Sequence, residues 1–163
     1  MRTSRQPAYV GPIENMANHI AAVDWHAYRL YRLSHWLWLR GHRASAGLVA
    51  AISRMLTGVD IGPGADFGPG LVIRHGHGLV VAPSVRAGRD CALYQGVTLA
   101  TRPGGVPPRD GAPTLGDRVT IFPGATVLGA ITVGDGARIG ANAVVIHDVP
   151  AGATVTAPIG RIA

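Results

Sequence analysis

Four side chains of this 163-residue sequence have the types and spacing to be weighed for chemistry: Asp60, His75, His77 and His147. An imidazole titrates near neutral pH and can take a proton from an attacking hydroxyl or amine, which is general-base work. A carboxylate such as Asp60, 15 residues before His75, can hold the imidazole tautomer and stabilise its protonated form. His75 and His77, at i and i+2, are also half of a zinc site. Such a site needs three or four ligands converging near ~2 Å, and only a neighbouring copy of the chain could complete it. No metal is therefore expected. Cys91 is the one cysteine, so no intrachain disulfide can form. It reads as a small buried hydrophobe in a reducing compartment rather than as a nucleophile.

The scaffold that must position these groups is written in a six-residue period. Ile61, Phe67, Ile73, Leu79, Val85, Cys91 and Val97, then Leu115, Ile121, Val127, Val133, Ile139, Val145 and Ala151, fall at multiples of six, and nearly all are apolar. Neither a helical nor a strand period keeps apolar residues in phase for so long, whereas a β-helical solenoid does. Three units make one triangular coil, and stacked coils bury a continuous apolar column. Gly62, Gly68, Gly116, Gly134 and Gly140 follow the lead residue, where corners need positive φ or close backbone approach. Small residues recur four places after it, at Ala65, Ala125, Ala137 and Ala143, which suits a narrow interior.

Phase in this repeat sorts the candidates. His75 stands two after its lead residue and is expected to project outward; His77 stands four after it and is expected to pack inward. Asp60, slightly less than one coil before His75, falls on a neighbouring rung near the same corner. His147 lies four coil lengths further on, at about 4.8 Å per coil, too far to share a ligand with His75.

The expected organisation is an N-terminal segment over residues 1–58, helical from about residue 24, and a solenoid domain over 59–163. Asp24 suits a helix N-cap and Gly41 a stop, with Tyr28, Tyr31, Trp36 and Trp38 between them. A second helix from about Ser45 carries Leu48, Ile52, Met55 and Leu56 at helical spacing, and Gly58 follows. These residues are expected to cap the open end of the solenoid, where strand edges and core would otherwise be exposed. The period breaks once, over residues 100–113, whose Pro and Gly content reads as a loop extruded from the wall. Long loops in compact domains are frequently functional.

The formal net charge is +6 and all fifteen basic residues are Arg. Codon bias accounts for that usage, though a basic surface also attracts phosphate-bearing ligands. No basic cluster interleaved with aromatics and no binding motif points to nucleic acid. No apolar stretch is long enough to span a membrane, and no secretory leader is seen, so a cytoplasmic protein is expected.

The segment Tyr31-Arg32-Leu33-Ser34-His35-Trp36-Leu37 resembles the helix that leads into the solenoid of serine O-acetyltransferases. Val59-Asp60-Ile61-Gly62-Pro63-Gly64-Ala65 is similar to their solenoid entry. Leu71 to Val81 around His75, Tyr94-Gln95-Gly96-Val97-Thr98-Leu99, and Ile139-Gly140-Ala141-Asn142-Ala143-Val144-Val145 continue the match in order over about residues 24 to 163. The resemblance implies a mainly β fold, a left-handed parallel β-helix preceded by a short α-helical segment, assembled as a homotrimer with sites in the clefts between subunits. It implies acetyl-CoA as co-substrate and O-acetylation of serine or a serine-like small molecule. His75 matches the family's base and Asp60 its partner carboxylate; Thr101, Pro123, Gly140, Ala141 and Arg161 fall at or beside its coenzyme contacts.

The departures bear on the acceptor. The family carries Asp immediately before the base, where this chain has Arg74, and an Asp-Arg-His-Pro run in the loop, where this chain has Asp110-Gly111-Ala112-Pro113. Arg109 replaces the missing Arg only if the loop shifts by two residues. A guanidinium suits carboxylate or phosphate rather than ammonium, so free serine is not expected to be the optimal acceptor. Arg74, Arg109 and Asp110 are the expected substrate contacts. An acyltransferase with another acceptor, such as a specialised metabolite, sugar or amine, and a non-catalytic solenoid stand as alternatives. The short N-terminal segment favours a trimer over a hexamer, and the end at Ala163 predicts no complex with a cysteine-synthesis enzyme.

Overall fold

The computed structural model describes residues 23–102 and 111–158. Two helices lead into fourteen short strands: α1 (Val23–Leu39), α2 (Arg43–Thr57), β1 (Asp60–Ile61), β2 (Asp66–Phe67), β3 (Val72–Arg74), β4 (Val80–Val81), β5 (Arg86–Ala87), β6 (Ala92–Tyr94), β7 (Thr98–Ala100), β8 (Thr114–Leu115), β9 (Thr120–Ile121), β10 (Thr126–Leu128), β11 (Thr132–Val133), β12 (Arg138–Ile139), β13 (Val144–Val145) and β14 (Thr154–Val155). Strands three apart pair in parallel, with β12 and β14 the one pair two apart, giving three sheets ordered β1-β4-β7-β10-β13, β2-β5-β8-β11 and β3-β6-β9-β12-β14. The chain is thus a three-walled parallel solenoid, as the period predicted. We call these walls A, B and C.

Strands this short can bury a core because two residues of each unit point inward: the register-paired residue and the one two before it. Val59, Ala65 and Leu71 join Ile61, Phe67 and Ile73 in the first coil, and Ala125, Ala137 and Ala143 fill the narrow interior higher up. Gly62 has no positive φ; it is there because an added Cβ would lie 2.7 Å from the Pro83 backbone of the next coil.

The register corrects the simple six-residue count. Asp60 pairs with Val80, 20 residues on, whereas Val80 pairs with Thr98, 18 on. Two extra residues therefore sit in the turn after β3, and Val81, Ala87, Leu93 and Leu99 are the register partners of the first coil and the one above it. Leu79, Val85, Cys91 and Val97 are not lead residues but the inward positions two before them, and all four are buried. At the other end the wall shortens: Val149 bridges Val133, and Ala151, expected as a lead residue, is exposed in a turn. The extruded segment is also narrower than 100–113. Ala100 is still in β7, and Ala112 and Pro113 are buried in the wall, with the Pro113 carbonyl accepting the Arg86 N–H at 3.3 Å.

The helices sit on the first coil through a stripe of α1. Ala27, Tyr31, Ser34 and His35 are buried at i, i+4, i+7 and i+8. Their polar atoms are satisfied: Tyr31 Oη donates to the Ala65 carbonyl at 2.9 Å, Ser34 Oγ to the Ala46 carbonyl at 2.8 Å, and His35 Nδ1 lies 2.9 Å from the Pro63 carbonyl. Gly41, at φ +84, stops α1, and Gly58, at φ +70, stops α2 while donating its N–H to the Arg54 carbonyl.

The expected capping role fails for most of the large apolar residues. Helix α2 turns its small side chains, Ala46, Ser53 and Thr57, inward, and leaves Leu48, Ile52, Met55 and Leu56 exposed. Trp36 is exposed as well, with the Arg40 guanidinium over its ring. The close approach of α2 to α1, marked by the Ser34–Ala46 bond, leaves no room for large side chains between them. Among the described residues no helix is long and apolar enough to cross a membrane.

Candidate active site

His75 occupies the corner between walls C and A, in the turn that carries β3 into β4. Its φ of 51° is left-handed, a conformation uncommon for residues other than Gly, though His, like Asn and Asp, adopts it more readily than most. The turn is held there by α1. Asp24 Oδ2 accepts the His75 N–H at 2.8 Å, and Asp24 Oδ1 accepts the Gly76 N–H at 2.8 Å. The imidazole is exposed, as its place in the repeat predicted. The N–H groups of His75 and Gly76 are both taken by Asp24, so neither is free to stabilise an oxyanion.

His77 does not pack inward. The two-residue extension of the turn changes its phase, and it lies exposed at the corner with its ring over Gly58, where a Cβ would collide with the imidazole. Among the described residues no group of three His, Cys, Asp or Glu side chains is placed to hold a metal ion. His147 is exposed after β13, at the corner between walls A and B, well away from His75.

Asp60 opens wall A at the same corner as His75. Its carboxylate pairs with Arg54 of α2, at 3.3 Å between Nη1 and Oδ2, and both side chains are partly exposed. No Asp60–His75 hydrogen bond is present among the described residues, so the two groups share a corner but are not linked directly.

A groove of about 330 Å³ runs between the start of α1 and β3 and opens at His75. Trp25 and Tyr28 form one side, Val72 and Arg74 the other, and Asp24 closes the end against the His75 turn. Strand alternation explains the second side: Ile73 points into the core, so Val72 and Arg74 must point out. Arg74 is exposed and makes no ion pair among the described residues. Trp25 and Tyr28 went unremarked as site residues in the sequence, because aromatics at helical spacing ordinarily signal packing. Asp24 stood out only as a helix cap.

Successive turns from wall C to wall A stack above His75, and they collect several of the expected coenzyme contacts. Pro123 follows β9, and Gly140 and Ala141 follow β12, all at this corner. The ladder between turns is continuous: Gly96 N–H donates to the His77 carbonyl at 3.0 Å, Gly124 N–H to Gln95 at 2.9 Å, and Asn142 N–H to Pro123 at 2.9 Å. Gln95 Oε1 is buried in this stack with no hydrogen-bond partner. Thr101 follows β7 and so belongs to the next corner, between walls A and B. Arg109, Asp110 and Arg161 lie outside the described residues.

Residues 112–147 match the family model of the bacterial transferase hexapeptide, six repeats. The chain is 47% identical over 131 residues to a serine acetyltransferase of Helicobacter pylori (strain J99), covering 79% of this chain and 74% of that protein. It is 46% identical over 137 residues to the serine acetyltransferase of Mycobacterium tuberculosis, covering 84% of this chain and 59% of that one. A crystal structure of serine acetyltransferase from Brucella abortus superposes with a TM-score of 0.81 at 33% identity, covering 97% of this chain and 62% of that one. The chain thus spans less than two thirds of the length of the last two.

Proposed function

Because the chain belongs to the serine acetyltransferase family, we propose that it is an acetyl-CoA-dependent O-acetyltransferase acting on the hydroxyl of serine or a serine-like small molecule, with His75 as general base. The observation that carries this reading is the exposed His75, its backbone held by Asp24 at the mouth of a groove large enough for a small molecule.

The His75 imidazole takes the proton of the acceptor hydroxyl as its oxygen bonds to the acetyl carbon. The carbon–sulfur bond of the thioester then breaks, and the imidazolium returns the proton to the departing thiolate. The products are an O-acetyl ester and free coenzyme A. Asp60 orients and supports the imidazolium, which requires its carboxylate to turn from the exposed Arg54 pair toward His75. Pro123, Gly140 and Ala141, on the corner above His75, form the track for the coenzyme, with Thr101 and Arg161 as further contacts. Arg74, Arg109 and Asp110 face the acceptor.

The proposed assembly is a homotrimer with its sites in the clefts between subunits. A cytoplasmic location fits a lone buried thiol and no disulfide.

The test is release of free thiol when the protein is mixed with acetyl-CoA and a panel of hydroxy and amino compounds. Turnover that falls by roughly 10²-fold or more in His75→Ala supports the assignment. Turnover that survives the substitution overturns His75 as base, and a primary amine as the preferred acceptor overturns O-acetylation.

A further inference from the structure

We infer that the groove between α1 and β3 receives an acceptor that bears a carboxylate or similar anion and whose remaining body is uncharged and largely apolar. This rests on the O-acetyltransferase reading and specifies its acceptor.

The charges around the groove are unequal in availability. Among the described residues Asp24 is its only carboxylate, and both of its oxygens are engaged by the backbone N–H groups of the His75 turn. Arg74 is exposed, forms no ion pair among the described residues, and stands next in sequence to the base. The available electrostatic partner among the described residues of the groove is therefore the Arg74 guanidinium. A free ammonium lodged in the groove would meet the Arg74 guanidinium with no unoccupied carboxylate among the groove's described residues, whereas a carboxylate gains a charge-assisted fork.

The remainder of the groove is suited to apolar material. Trp25 and Tyr28 are neighbours on one helix face, and Val72 is exposed across from them on β3. An aromatic pair facing an aliphatic side chain recovers free energy from an apolar body and offers little to a second charge. At about 330 Å³ the space is at the small end of pockets that hold small molecules, and exceeds what a bare amino acid fills. An N-acylated serine has all three properties: a hydroxyl, a carboxylate, and an acyl group in place of the ammonium charge.

The experiment compares L-serine, N-benzoyl-L-serine and N-benzoyl-L-serinamide as acceptors by thiol release. It pairs these assays with calorimetric titration of N-benzoyl-L-serine into the wild type and Arg74→Gln, both checked for fold by circular dichroism. The expected result is a higher kcat/KM for N-benzoyl-L-serine than for L-serine. Arg74→Gln should raise its KM roughly ten-fold or more, by more than it lowers kcat, while KM for acetyl-CoA holds steady. A preference for L-serine, or a KM for N-benzoyl-L-serine indifferent to Arg74, overturns the inference and leaves the acetyltransferase standing. Absence of thiol release with every acceptor overturns the acetyltransferase instead. The titration then decides the groove: binding that weakens in Arg74→Gln supports it, and no binding by the wild type overturns it.

Discussion

The carboxylate of Asp24 holds the backbone of His75, 51 residues away, with two N–H bonds of 2.8 Å to His75 and Gly76. It offsets a cost: the left-handed φ at His75 is unfavourable by about 1–2 kcal/mol for an L-residue with a Cβ. A charge-assisted pair of bonds supplies about 1.5–3 kcal/mol apiece when intact. Asp24→Ala is therefore expected to let the turn relax and misplace the imidazole, lowering kcat by roughly 10²-fold while KM for acetyl-CoA changes little. Asp24→Asn keeps one acceptor oxygen and should recover part of the loss. Because Asp24 acts through the backbone, the shape of the pH–rate profile should be the same in all three proteins. A shifted profile, or full activity in Asp24→Ala, would remove Asp24 as a positioning residue.

The Arg54–Asp60 pair is 3.3 Å long, but its side chains are 63% and 37% exposed. Such pairs contribute at most about 1 kcal/mol. Arg54→Met should accordingly leave the urea midpoint nearly unchanged, and its kcat should match or exceed the wild type's because the carboxylate is released toward His75. Asp60→Asn should lower kcat by roughly ten-fold or more in both the wild-type and Arg54→Met backgrounds, within the ~10⁴-fold lost when an orienting carboxylate is removed from a triad. An Asp60→Asn protein with unaltered kinetics would restrict Asp60 to its link with α2.

The walls of the solenoid were legible because a six-residue period has no helical or simple strand counterpart, and outward His75 followed from it. The faults came from insertions that a period cannot see. Register partners are 20 residues apart across the His75 turn and 28 across the loop between Thr98 and Thr126, against 18 for an unbroken coil. The two excesses together amount to two whole hexapeptides, so the count regained its phase after the loop and concealed both. His77 was misplaced for that reason. Apolar spacing on α2 likewise marks one face but not what the face meets, and Leu48 and Met55 meet solvent in this chain. Asp24 was hidden because a cap and a clamp call for the same side chain, and only the fold brings α1 to the turn.

Cys91 is expected to be silent toward thiol reagents. It is fully buried, its Sγ lies 3.3 Å from the Gly116 carbonyl, and burial raises its pKa above the ordinary thiol value. Thiolate is the reactive form, so reaction with 5,5′-dithiobis(2-nitrobenzoate) should be negligible in the native protein and should reach one thiol per chain in denaturant. Coenzyme A release can then be followed with the same reagent without background from the enzyme. Prompt labelling of the native protein would show that this part of the core opens readily.

Tyr31 gives the fold an alkaline limit. Burial raises its phenol from 10.0 to about 12, and Oη bridges the first coil by donating to the Ala65 carbonyl and accepting the Phe67 N–H. The folded chain keeps the phenol neutral while the unfolded chain ionises it from about pH 10. Its contribution is whole below pH 10 and is lost as pH rises toward 12, a decline of about 2–3 kcal/mol for a shift of this size. Tyr31→Phe should cost about 1–2 kcal/mol at pH 7, since the Ala65 carbonyl loses its donor in a buried place. The same variant should lose less stability between pH 10 and 12 than the wild type, so the two urea midpoints converge as the solution becomes alkaline. Midpoints that remain a constant distance apart across that range would show that Tyr31 is ionised as easily in the folded chain as in the unfolded one.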